Sequence, residues 1–412
     1  MVVQCIGFLG VNLCTWTIDF VTIFALTLAV CLTLNLEAGY AGIPNFGKVL
    51  FVAGGAAIAG SVCGRVAAIV LAIDTGGNFN RNIPLIIDQI NRSLAFNPTL
   101  SIELLLLGIV LAAVVGAGMG FVASFPAIRL REDYLGMLLL AAAQFFQLFL
   151  SGYEPFIGAQ QGLEVPDVFG WVRKTFGPTW SQFGLDRLGV DIRDVFLLMV
   201  TVTFALLVYL YMEKVARSPL GRSLRAVRDN EEASRALGKN DVALRRKVIV
   251  IGSAISAIAG ALLTFYTGSV EPGTWTRIDW TFYIWVMVII GGSANNLGVA
   301  LGAFVFTFGT KVLATTQVNI APYLPAGDVS SLNWIVYLVF GGLLIAFLLF
   351  RPDGIVPEKS SATIPKWRVA WIIGRELPPI TNEASTMNSP DSAVKDVGKE
   401  DSEPDHSETS PA

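Results

Sequence analysis

Residues 280–310 read Trp280-Thr-Phe-Tyr-Ile-Trp-Val-Met-Val-Ile-Ile-Gly-Gly-Ser-Ala-Asn-Asn-Leu-Gly-Val-Ala-Leu-Gly-Ala-Phe-Val-Phe-Thr-Phe-Gly-Thr310, with no charged side chain. As one α-helix this stretch would be about 46 Å long, well beyond the roughly 30 Å apolar core of a bilayer. Its middle, Gly291-Gly-Ser-Ala-Asn-Asn296, breaks helices. The spacing therefore predicts two membrane helices joined at a break.

Similar uncharged stretches recur at 20–36, 49–73 (interrupted only by Arg65), 104–128, 134–153, 195–212, 248–270 and 329–350. With the split at 291–296, these predict an all-α, polytopic membrane helix bundle of about nine, between eight and ten, transmembrane helices, some of them broken. Composition agrees: 53% of the chain is hydrophobic and 15% charged, where about 25% charged is usual for soluble domains. A net charge of −3 argues against a nucleic-acid partner. The lone histidine, His406, lies near the C-terminus. Without imidazoles or paired carboxylates in the spans, neither an enzyme nor a metal site is expected. Cys5, Cys14, Cys31 and Cys63 show no C-x-x-C spacing and read as small buried hydrophobes. Residues 1–16 lack a basic start and a small-residue cleavage site, so they are read as part of the first span.

Loop charge sets the expected orientation. Residues 213–247 carry ten basic and five acidic side chains, which places them on the cytoplasmic side. Residues 74–103 and 154–193 then fall outside, each with net charge −1, and the chain returns inside at Arg351. A transmembrane domain is expected over 1–357 of a multi-pass protein of the cell membrane. The remaining residues, 358–412, rich in Ser, Pro, Glu and Asp, read as a largely disordered cytoplasmic tail.

Gly42-Ile-Pro-Asn-Phe-Gly-Lys48 matches G-x-x-x-x-G-K, the start of a phosphate-binding loop. Val49 lacks the hydroxyl that should follow, Pro44 removes an amide from the cradle, and the preceding element is a membrane helix. The match is rejected, so any ATP is expected on another subunit. The segment reads better as a helix break, with Gly39, Tyr40, Gly42, Asn45 and Phe46 lining a translocation path; an ordinary turn between spans is the alternative. Gly291, Gly292 and Asn295 are the corresponding path candidates at the second break. Ala56/Gly60/Gly64, Gly116/Gly120 and Gly298/Gly302 keep the four-residue spacing of close helix contacts. Arg65 is read either as snorkelling to the interface or as facing a partner. No other ionisable residue falls within the uncharged stretches, and neither break is expected to hold a buried charge.

The loop itself is more specific. Ser218-Pro219 is a helix start, with Leu220, Leu224 and Val227 at i, i+4, i+7 and Arg222, Arg225 and Arg228 on other faces. Asp229 or Asn230 can cap a second short helix through Glu231, Ala233, Ala236 and Leu237, ended by Gly238. This pair makes a docking surface; alternatively, its basic residues only fix topology.

The run Ser218-Pro-Leu-Gly-Arg-Ser-Leu-Arg-Ala-Val-Arg-Asp-Asn-Glu-Glu-Ala-Ser-Arg-Ala-Leu-Gly238 resembles the coupling loop of the branched-chain amino acid ABC transporter permease family, LivM type. Gly39-Tyr-Ala-Gly-Ile-Pro-Asn-Phe-Gly47, residues 288–303 and Phe350-Arg-Pro-Asp-Gly-Ile-Val-Pro357 extend the resemblance in consistent order from about residue 20 to 357. The acidic tail and the loop around Gly152–Pro166 depart from it. The resemblance implies a membrane-spanning subunit of an ABC importer for branched-chain or other hydrophobic amino acids. Its expected partners are a second permease subunit, two ATPase subunits that bind the ATP, an extracytoplasmic solute-binding protein and the small-molecule solute; the chain itself holds no cofactor. The resemblance assigns ATPase coupling to Gly221, Arg222, Leu224, Arg225, Arg228, Asn230, Glu231, Ala233, Ala236 and Gly238. A permease for urea, short amides or sugars is the nearest alternative, and an ion-coupled secondary transporter a more distant one.

Overall fold

The computed structural model describes residues 7–8, 11–74, 76–77, 79–130, 132–182 and 189–320, together with 338, 341–342, 344–346, 349–351 and 354–358. The span expected at 329–350 lies mostly outside these residues, as does the polar tail from Lys359.

Among the described residues, seven helices are long and apolar enough to cross a membrane. They are α1 (Leu13–Leu34, prolonged by a π-helical turn over Asn35–Tyr40), α2 (Lys48–Val70), α4 (Pro98–Arg129), α5 (Glu132–Gly152), α8 (Ile192–Arg217), α11 (Asp241–Thr267) and α13 (Asn296–Ile320). The expected break in 280–310 is present, since α12 (Tyr283–Gly291) stops at the glycine pair, but its apolar stretch from Ile278 is shorter than a membrane span, so only α13 of the two expected helices is long enough to cross. Shorter elements are α3 (Phe79–Phe96), α6 (Glu154–Ile157), α7 (Gly170–Gln182), α9 (Pro219–Asp229) and α10 (Glu231–Ala236). The two-residue strands β1 (Gly7–Phe8) and β2 (Val11–Asn12) pair antiparallel, as do β3 (Leu163–Glu164) and β4 (Ser269–Val270).

The helices sort into a centre and a rim. The most apolar windows of α2 and α11 are 72% buried, that of α4 only 22%. The outer faces of α4, α5 and α8 carry exposed Leu, Val, Phe and Met, as a lipid-facing surface requires. In the centre, small residues bring backbones together. A Cβ on Gly55 would lie 2.0 Å from the carbonyl oxygen of Ala257, and one on Gly260 2.0 Å from that of Val52. Two of the three expected ladders take part: Gly116 and Gly120 face Ala257 and Ser253 of α11, and Gly298 and Gly302 face Gly291 and Met287 of α12, whereas Gly60 and Gly64 of the third meet the side chains of Val270 and Phe79.

Two readings are corrected. Helices run past the charges that bound the apolar stretches, so Asp19, Glu37, Lys48 and Lys311 lie within helical segments. Lys311 stands 3.6 Å from Asp19, which also accepts a hydrogen bond from Tyr266. Cys31 and Cys63 are free and buried, but Cys14 is disulfide-bonded. Arg65, half-buried, donates to the carbonyl oxygens of Ser61 (2.7 Å) and Pro155 (2.6 Å) and to Asn80 (2.9 Å), tying α2 to α3 and α6.

Candidate functional site

The first break lies at the α9 end of the bundle. After Tyr40 the chain leaves the helix, turns at Gly42 (φ +69°) and resumes helix only at Lys48. Lys48 Nζ reaches Thr33 Oγ1 at 3.0 Å, so residues 41–47 run back alongside the end of α1. Non-helical backbone at such depth needs protein partners. Ile43 N donates to Glu37 O (2.8 Å), Gly47 N to Asn45 Oδ1 (2.9 Å), and Trp285 Nε1 to Asn45 O (3.2 Å). Val49 N, in the first turn of α2, donates to Thr281 Oγ1 at 3.3 Å.

This break holds two charges, against the expectation of none. Glu37 and Lys48 are fully buried and ion-paired at 2.8 Å. Asn45 Nδ2 donates to the other carboxylate oxygen at 2.7 Å. Gly252 leaves room for that carboxylate, since a Cβ there would lie 2.0 Å from Glu37 Oε1.

The second break joins the first. Gly292 (φ +102°) and Ala294 (φ +59°) turn the chain between α12 and α13, and Asn295 Oδ1 accepts from Leu297 N and Gly298 N at the start of α13. Asn35 bridges the breaks: its Oδ1 accepts from Ala294 N (2.7 Å) and its Nδ2 donates to Asn296 Oδ1 (3.0 Å). Asn296 Nδ2 donates in turn to Glu213 Oε2 on α8 at 2.9 Å. The approach demands glycine at 39, where a Cβ would lie 2.6 Å from Ala294 N.

Beneath the breaks sit α9 and α10, capped as their sequence predicts. Ser218 Oγ accepts from Gly221 N and Asn230 Oδ1 from Ala233 N, and Gly238 (φ +75°) follows the second helix. Gly221, Leu224 and Val227 are buried, whereas Arg222, Asn230, Ala233, Ala236 and Gly238 are exposed. Leu224 therefore anchors α9 to the bundle, and the solvent-facing apolar tip is Leu237, 82% exposed. Arg225 Nη2 donates to Ala216 O (2.7 Å), with its guanidinium 5.5 Å from the Tyr40 ring centre. Glu231 pairs with Arg245 at 3.0 Å.

Arg228 connects this layer to the break. Its Nη1 donates to Gly39 O at 2.6 Å, its Nε to Asp229 at 3.0 Å, and its Nη2 pairs with Glu358 at 3.0 Å. Burial would lower this guanidinium's pKa; hydrogen bonds to Asp229 and Glu358, and their charges, hold it above the ordinary value.

A cleft of about 550 Å³ opens between the first break and the α9–α10 layer, lined by Ala38, Gly42, Pro44, Arg228, Asn230 and Trp285 among others. Of the path candidates, Gly42 borders it. Gly39, Tyr40, Asn45, Gly291 and Gly292 are buried, and Phe46 stacks on Trp285 with ring centres 4.7 Å apart. Asn295 is half-buried and donates to Pro357 O at 3.2 Å. Sequence reasoning missed Glu37, Lys48, Asn35, Asn296 and Glu358. The available signal was a carboxylate and an ammonium bracketing a Gly- and Pro-rich break.

A family model described as the permease component of branched-chain amino acid transport systems matches residues 17–348. The chain is 36% identical to "Probable branched-chain amino acid transport permease protein LivM" of Methanocaldococcus jannaschii, over 85% of this chain and 96% of that one. It is 27% and 26% identical to the proteins named high-affinity branched-chain amino acid transport system permease protein LivM of Salmonella typhimurium and Escherichia coli. Those alignments cover 60% of this chain and 56% of each relative. No solved structure matches.

Proposed function

The chain belongs to the permease component family of branched-chain amino acid transport systems, and we propose on that premise how its parts serve uptake. It is a membrane-spanning permease subunit of an ABC importer and works with other transporter components. In this reading they are a second permease subunit, two ATPase subunits that bind the ATP, and an extracytoplasmic solute-binding protein. The α9–α10 layer faces the cytoplasm, as its basic excess requires. The disulfide at Cys14, at the other end of α1, suits an oxidising exterior.

One observation supports the coupling assignment above all. The layer exposes Ala233, Ala236 and Leu237 to solvent while Arg228 on its inner side holds the carbonyl of Gly39. An ATPase surface that grips the exposed tip can then move the break. Alternating access follows if the closed ATPase pair favours one of two arrangements of the layer, because a ligand shifts an equilibrium only by its differential affinity for the two states. The solute passes beside the joined breaks, where the charges of Glu37 and Lys48 cancel. A path without net charge suits a zwitterion with an aliphatic side chain, whereas an inorganic ion would need compensating charge.

The test is reconstitution of the complete complex in liposomes, with uptake of labelled leucine, urea and ribose measured beside ATP hydrolysis. Leucine uptake that requires both hydrolysis and the binding protein is expected. Uptake of ribose alone would overturn the solute assignment.

A further inference from the structure

We propose that Gly354–Glu358 forms a strap through which Arg228 becomes the positioning residue between the docking layer and both helix breaks. This rests on the coupling role given above to α9 and α10. Ile355 N donates to Ile290 O at 2.8 Å and Val356 N to Gly291 O at 3.1 Å, occupying carbonyls that the end of α12 leaves without helical partners. Asn295 Nδ2 donates to Pro357 O at 3.2 Å. Gly354 (φ +78°) lies so close to Gly292 that a Cβ on it would stand 2.5 Å from Gly292 N and Cα. The strap is thus bound to the second break by its backbone.

Its last described residue completes the connection. Glu358 pairs with Arg228, whose other terminal nitrogen holds Gly39 O of the first break. The planar guanidinium fixes both bonds in one geometry, so a displacement of α9 is felt at both breaks together. The Arg228 and Glu358 side chains are 26% and 30% exposed, and solvent screening makes the pair a minor contributor to stability. Its effect lies in where it holds α9. Without Glu358, Arg228 keeps Gly39 and its neighbour Asp229, and α9 loses this tie to the strap.

The test compares chains ending after Lys359 and after Pro357 with full-length Glu358→Gln, each in the complete complex. Leucine uptake per ATP hydrolysed and melting temperature are measured. The stop after Lys359 should behave as the full chain. The stop after Pro357 and Glu358→Gln should lower uptake per ATP by about two- to thirtyfold, the range of single-residue effects on coupling, with the melting temperature unchanged. An unchanged ratio in both, or a loss matched by a fall in melting temperature, overturns the strap. Leu237→Asp serves as the control. If it uncouples while Glu358→Gln does not, the strap fails and the docking layer stands; if leucine uptake by the unaltered complex is independent of hydrolysis, the functional reading fails first.

Discussion

At the residue scale the molecule turns on Glu37 and Lys48. Removing two charges from water is costly, and their attraction offsets this only when the remaining lone pairs and protons are also satisfied. Here Asn45 donates to the second carboxylate oxygen, and Lys48 donates a second hydrogen bond to Thr33. Lys48→Met leaves a buried carboxylate without its cation and should cost about 3–5 kcal/mol. Adding Glu37→Gln removes the stranded charge and should recover most of that loss. Melting curves of the solubilised protein check both, and a double variant no more stable than Lys48→Met would show that the pair is not energetically coupled. The two charges bracket the break in the sequence, but their pairing was not legible there, because each stands at the edge of an apolar stretch and resembles an interfacial residue. Burial is decided by the backbone returning into the bundle after Gly42, which brings Lys48 beside Thr33.

At the element scale, local chemistry and packing separate cleanly. Caps depend on residues two or three positions away, so Ser218, Asn230 and Gly238 announce the bounds of α9 and α10 directly. Asn230→Ala should cost about 1 kcal/mol by leaving the Ala233 amide uncapped. The periodicity of Leu224 and Val227 marks an apolar face but not what that face meets, and the structure turns it onto the bundle. Two substitutions of like chemistry should therefore part company. Leu224→Asp places a charge in the bundle and should reduce the amount of folded protein in the membrane. Leu237→Asp, at an exposed position, should leave folding intact while lowering uptake per ATP hydrolysed. Membrane abundance measured beside transport distinguishes them; equal loss of folded protein in both would refute the assignment of inner and outer faces.

At the scale of the whole molecule, polar side chains gather at the two ends of the bundle. Glu358 reaches Arg228 at one end of the bundle, while Arg65, Asn80 and the carbonyl of Pro155 gather at the other. Single cysteines at Ala236 and at Gln160, introduced into a chain whose own cysteines are replaced, should differ in sealed cells: the first protected from an impermeant thiol reagent, the second labelled. The reverse pattern would invert the orientation.

The amino-acid sequence determined by itself that this chain is a helical membrane protein, where its helices break and how its loop helices are capped. Each of these depends on a run of apolar residues or on neighbours within a turn, and so can be read locally. That the breaks at 35–47 and 291–296 meet through Asn35, that Glu37 and Lys48 are buried against each other, and that Arg228 holds Gly39 and Glu358 at once was decided only by the tertiary structure. These partners are separated by 11 to 261 positions. Their pairing is set by close packing of glycine-lined helices, whose four-residue spacing marks a face but not the helix it meets, and by the need of every polar group away from water for a partner, which leaves no periodic trace along the chain.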